Sequence, residues 1–105
     1  MFYLVGSRFF GTHHVNSDWD FLGEKTQENR ELCERLGLRE QPSPKSGDVH
    51  YWGLCEGRWL DVLLTSNLEQ KIQARDTLAK SPDVKQLNKS ERYQKIREIL
   101  NAIQS

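Results

Sequence analysis

The chain has 105 residues, 36% of them apolar, which gives room for one small core and excludes a second module of comparable size. Basic and acidic side chains both number 15, and the zero net charge excludes a protein that coats nucleic acid by charge alone. No apolar run approaches the roughly 20 residues that a membrane-spanning helix needs.

The first element predicted is a buried strand over residues 2–5, Phe-Tyr-Leu-Val, which stops at Gly6-Ser7. Residues 11–17 read as a loop, with His13 and His14 exposed in it. Residues 18–23, Asp-Trp-Asp-Phe-Leu-Gly, alternate polar and apolar as a half-buried strand does. A helix follows over 27–36, with Thr26 as its cap, Gly37 at its end, and Leu32, Cys33 and Leu36 on one stripe. Residues 40–47, containing Pro42, Pro44 and Gly47, read as a loop.

Two strands are then expected at 48–55 and 58–64, joined at Glu56-Gly57 as an antiparallel hairpin. On them His50 is expected to face solvent, and Trp52 and Trp59 to pack across the pair. Arg58 reads as an edge-of-strand charge. Ser66-Asn67-Leu68-Glu69 matches a capping box and starts a helix that runs to Lys80 before Ser81-Pro82. Residues 82–88 are a turn or short helical piece. Ser90 caps a last helix, with Tyr93, Ile96, Ile99, Leu100 and Ile103 on its inner face. The order predicts one α/β (α+β) domain over 1–105, with a mixed sheet of about four strands flanked by helices. Residues 1–64 form the sheet region that carries the chemistry, and 65–105 the C-terminal helices.

Charge is unevenly placed. Residues 1–70 hold 7 basic and 11 acidic side chains, residues 71–105 hold 8 basic and 4 acidic. A basic tail packed near an acidic site helps attract a polyanionic substrate, although solvated helix faces account for the same count. No strong nucleic-acid-binding patch is expected. Cys33 and Cys55 make no disulfide framework and have no zinc-site spacing, so they read as reduced structural thiols of a cytoplasmic protein.

Three features carry chemistry. In a strand, alternate side chains share a face, so Asp18 and Asp20 project together while Trp19 and Phe21 turn toward the core. Two carboxylates so placed repel, and a hard cation with a preference for oxygen removes the conflict. Asp61 lies inside Trp59-Leu60-Asp61-Val62-Leu63-Leu64, where a lone carboxylate is costly unless something pairs with it. If its strand lies beside the Asp18–Asp20 strand, three carboxylates face one site for divalent metal. Gly6-Ser7 ends the first strand. There glycine allows a sharp turn and close approach of phosphate, Ser7 offers its hydroxyl and N–H, and Arg8 adds a charge-assisted hydrogen bond.

The stretch Gly6-Ser7-Arg8-Phe9-Phe10-Gly11 … Asn16-Ser17-Asp18-Trp19-Asp20-Phe21 resembles the signature of the polymerase-β-like nucleotidyltransferase superfamily, especially its minimal bacterial and viral domains. That signature is hydrophobic-Gly-Ser, about ten residues, then Asp-hydrophobic-Asp-hydrophobic, with a third carboxylate on a later strand. Ten residues separate Ser7 from Asp18, and Asp61 has the context of the third carboxylate. The resemblance covers 2–22 closely and 58–64 loosely. It departs from the family in having no helix before the first strand and no helical domain to recognise an acceptor.

The resemblance implies a nucleotidyltransferase fold and metal-dependent transfer of a nucleoside monophosphate from an NTP such as ATP to a hydroxyl of a protein or RNA. Gly6, Ser7 and Arg8 bind the nucleotide. Asp18, Asp20 and Asp61 hold Mg²⁺ or Mn²⁺, and Asp61 takes the acceptor proton. Among minimal members of the family, the usual setting is toxin–antitoxin or phage–host conflict. The alternative is a catalytically inactive member that binds a host or partner protein through the face that the missing helix leaves bare.

Overall fold

The computed structural model describes residues 2–42 and 47–104. Its elements in chain order are β1 (Phe2–Val5), α1 (Gly6–Phe10), β2 (Trp19–Glu24), α2 (Gln27–Arg35), β3 (Arg39–Gln41), β4 (Val49–Cys55), β5 (Arg58–Thr65), α3 (Leu68–Ala79), a 3₁₀ turn at Val84–Gln86, and α4 (Lys89–Gln104). The five strands form one mixed sheet in the order β1-β2-β5-β4-β3. The α/β class is as expected, but the sheet has one strand more than the four predicted. The extra strand, β3, is three residues long, lies on the edge of the sheet and overlaps the start of the stretch read as a loop. So short a piece beside Pro42 carries no period-two signal of its own. Pro44 falls outside the described residues.

Side-chain alternation divides the sheet into two faces. Phe21, Tyr51, Val62 and Leu64 lie on one of them, and Cys33 of α2 and Leu38 close a core over it. Cys33 is fully buried, and burial pushes its thiol up to about 11, so it packs as a small apolar group rather than as a nucleophile. Thr26 caps α2 as expected, its side chain accepting from the Asn29 N–H at 3.1 Å. A second cluster joins Phe10 of α1, Leu78 of α3 and Val84, with Ile96 and Ile99 of α4 against them.

Three details of the C-terminal half differ from expectation. The Ser66/Glu69 capping box does not form. Strand β5 runs on to the fully buried Thr65, Asn67 occupies the cap position without a side-chain cap bond, and its amide side chain is held by the Thr65 hydroxyl. A capping box does form at the head of α4, from Asn88 and not Ser90. Asn88 Oδ1 accepts from the Glu91 N–H and Glu91 Oε1 from the Asn88 N–H, each at 2.9 Å. Asn88→Ala should lower stability by about 1 kcal/mol in urea unfolding, while Ser90→Ala should lie within the scatter.

The buried stripe of α4 is therefore Arg92, Ile96, Ile99, Leu100 and Ile103, and Tyr93 is 55% exposed. A step of 3.6 residues puts position 92 over 96 and 99, and turns 93 about 100° away. Arg92 is buried because its Nη1 donates to the Leu87 carbonyl at 3.0 Å, satisfying the end of the preceding turn. Among the described residues no helix is long and apolar enough to cross a membrane.

Candidate active site

Strands β2 and β5 pair in parallel, and Asp20 is the direct register partner of Asp61. Directly paired residues point to the same face, so the two carboxylates project side by side, opposite the face that carries Phe21 and Val62. Val5, the last residue of β1, is the register partner of Asp20 on its other side. The chain then turns at Gly6, whose φ is +73°. A Cβ at Gly6 would overlap Asp20 Oδ2, at 2.2 Å, and lie 3.0 Å from Asp20 Cβ. The glycine is thus required twice, by its backbone conformation and by the carboxylate packed against it.

Asp20 is pushed up to about 6, first by burial and next by the charge of Asp61, with Asp18 adding in the same direction. Asp18 stands one residue before β2 begins. Lys89 and His50 pull the same carboxyl down. Among the described residues no group of three His, Cys, Asp or Glu side chains is gathered as a metal site. The arrangement is instead a pair, Asp20 and Asp61, with Asp18 at its margin. A pair suits Mg²⁺, which is commonly held by one or two carboxylates while water and substrate phosphates complete its shell. The raised Asp20 gives the physical basis of the fit, since two crowded carboxylates that resist joint ionisation gain from a divalent cation.

Ser7 lies within α1, and its backbone carbonyl accepts from the Thr12 N–H at 2.9 Å. Its hydroxyl meets no partner among the described residues and is available to a ligand. Arg8 does structural work. Its Nη2 donates to the Ser17 carbonyl at 3.0 Å, its Nε to the same oxygen at 3.3 Å, and the guanidinium lies 4.1 Å from the centroid of Trp19. It therefore clamps the loop that leads into β2.

His50 does not face bulk solvent. Its Nε2 is 2.9 Å from Asp61 Oδ1, with the imidazole 22% exposed and the carboxylate 34%. Strand β4 runs antiparallel to β5 with His50 opposite Leu63 and Trp52 opposite Asp61, so imidazole and carboxylate are diagonal neighbours on one face. Period-two alternation placed His50 on the face opposite Tyr51, but nothing in it showed that this face carries the carboxylates. Trp52 and Trp59 stack at 4.5 Å with 12° between their planes, and both stay partly exposed on the carboxylate face. His13 and His14 are exposed and lie in the loop as expected.

The basic tail comes back to this site. Lys89, the first residue of α4, acts on Asp20, and Lys85 Nζ lies 3.9 Å from where a Cβ on Gly11 would stand, at the end of α1. The uneven charge along the sequence was the one signal that pointed to these lysines. No family model, curated protein or solved structure compared with the chain matches it.

Proposed function

We propose that the protein transfers a nucleoside monophosphate from an Mg²⁺–NTP to an acceptor hydroxyl, as the resemblance to the polymerase-β-like nucleotidyltransferases implies. The observation that carries the reading is the Asp20–Asp61 pair, aligned on adjacent parallel strands, with Asp20 packed against the Gly6 turn. Asp20 and Asp61, with Asp18 at the edge, hold the cation. When bound, Mg²⁺ supplies charge neutralisation for the triphosphate and acidifies the acceptor hydroxyl.

The chain's own groups do the rest. The Ser7 hydroxyl donates to a phosphate oxygen, and Lys89, whose charge acts on Asp20, brings positive charge to the site. His50 holds Asp61 Oδ1, which fixes the rotation of the carboxylate and leaves Oδ2 to accept the acceptor's proton. The acceptor oxygen forms a bond to the α-phosphorus, the bond to the bridging oxygen breaks, and pyrophosphate leaves with that electron pair.

The test is label transfer. The protein is incubated with each α-labelled NTP, Mg²⁺ or Mn²⁺, and separated RNA and protein fractions of a lysate. Label should appear on one fraction and disappear with Asp61→Asn. If no NTP labels either fraction, and Mg²⁺–NTP does not raise the melting temperature, the reading fails.

A partner-binding module without catalysis is the second reading. It is favoured by the exposed Trp52, Leu54 and Trp59, 37%, 54% and 44% accessible on one face. Capture of a partner that survives Asp20→Asn and Asp61→Asn, with no label transfer, would support it.

A further inference from the structure

A cleft of about 630 Å³ opens where β2 and β5 begin, lined by Arg8, Asn16, Trp19, Arg58 and Trp59 among others. Two guanidinium groups share one indole there. Arg8 lies 4.1 Å and Arg58 5.5 Å from the Trp19 ring centroid. Among the described residues neither is paired with a carboxylate, and no carboxylate lines the cleft. Nη1 of Arg8 meets no acceptor among the described residues, its bonds to the loop running through Nε and Nη2. Two like charges against one indole, lining one cleft with no counter-charge, favour an anion in that cleft.

The other wall of the cleft is aromatic. Trp59 is 44% exposed and is backed by Trp52 at 4.5 Å, so a flat ring laid on it would extend an existing stack. Paired cations beside an open indole are the elements that bind single-stranded nucleic acid, guanidinium to phosphate and base to ring. A protein acceptor has no regular need for both. Trp59 precedes Asp61 by two residues on the same face, a distance of about 7 Å along the strand. Arg58 and Trp19 alternate to the other face, so a nucleic-acid strand held by the guanidinium groups reaches the carboxylates only by passing round the ends of β2 and β5 and over Trp59.

We infer that this cleft binds a single-stranded oligonucleotide through Arg8, Arg58 and Trp59, and that the bound strand presents the acceptor hydroxyl. The binding stands on the cleft alone; the acceptor role rests on the nucleotidyl-transfer reading. The zero net charge of the chain is consistent with the cleft, because the site uses two local cations and not a broad basic surface.

The experiment titrates the full chain with a labelled RNA of about ten nucleotides, the DNA of the same sequence and the corresponding duplex, in EDTA, following anisotropy and tryptophan quenching. Both single strands should bind and the duplex should not. With two phosphate contacts, log K should fall against log salt with a slope of about −1.4, and Arg58→Gln should bring the slope to about −0.7. Trp59→Leu should weaken binding about tenfold, while Trp59→Phe keeps most of it. Circular dichroism checks that each variant is folded.

Absence of saturable binding, or binding that Arg58→Gln and Trp59→Leu both leave unchanged, overturns the inference. Because EDTA removes the metal, such a failure is separate from failure of the transfer reaction. Label moving onto protein while oligonucleotides do not bind would retain nucleotidyl transfer and discard the cleft as its acceptor site. Oligonucleotide binding by a chain that labels nothing would retain the cleft and discard the acceptor role.

Discussion

Asp20→Asn should raise the stability of the metal-free protein at pH 7.5 by about 1 kcal/mol and lower nucleotidyl transfer about 10³-fold or more. The two effects have one cause. Asp20 ionises near 6 in the folded chain, against 3.8 for the free side chain, because it is half buried and faces Asp61. The folded state therefore holds a proton that the unfolded state has released between about pH 4 and 6. Stability falls as pH rises through that window and stays lower above it.

Asparagine has the same shape and no charge, so it removes this loss. The gain should be full at pH 7.5, mostly lost by about pH 4, and absent only near about pH 2, where Asp20 is protonated in both states. The full shift corresponds to about 3 kcal/mol, reduced here because solvent screens a half-buried group. Mg²⁺–NTP should reverse the ranking: it should raise the melting temperature of the wild-type protein and leave Asp20→Asn unmoved. Urea unfolding at four pH values, with and without Mg²⁺–NTP, tests each part. A wild-type chain more stable than Asp20→Asn at pH 7.5 without metal would remove the strain argument.

Gly6→Ala should destabilise the fold by about 3 kcal/mol and abolish Mg²⁺–NTP binding. Alanine at φ +73° costs about 1 kcal/mol, and a methyl group placed on the Asp20 carboxylate costs about 2 kcal/mol more as the strand or the side chain moves away. Gly57 is the control. It also has positive φ, 77°, but a Cβ there meets nothing within 4 Å, so Gly57→Ala should show the backbone cost alone. The difference between the two variants in urea unfolding isolates the contact with Asp20. Equal losses would mean that the carboxylate is free to move, and that the turn does not position it.

The contrast between these residues and the ones the sequence left unread is physical. Asp20 and Asp61 were legible because each is a carboxylate in a run that is otherwise apolar, and alternation tells which face a strand residue takes. Their adjacency was legible only as a condition, since pairing between β2 and β5 is non-local. His50 and Lys89 were not legible as site residues. The place of His50 follows from the β4–β5 register, and that of Lys89 from where α4 docks, and neither leaves a local pattern. Helices α2, α3 and α4 were read to within a few residues, whereas α1, five residues directly after β1, was too short to leave a helical period. The caps were misassigned where two polar residues competed, as at Asn88 and Ser90. The cationic cleft was hidden by the net charge, which averages over the local pairing of Arg8 and Arg58 with Trp19.

The parallel pairing of β2 with β5 also sets an order of assembly. Its partners are about 40 residues apart in sequence, whereas β4 and β5 are joined by a two-residue turn. Closing the short hairpin costs little chain entropy; bringing β2 to it costs much more. A nascent chain must then have delivered Thr65 from the ribosome before Asp20 meets its counterpart, and Lys89 later still. Until that moment the two acids are apart and well hydrated, so their mutual repulsion opposes only the last docking event and not the early collapse.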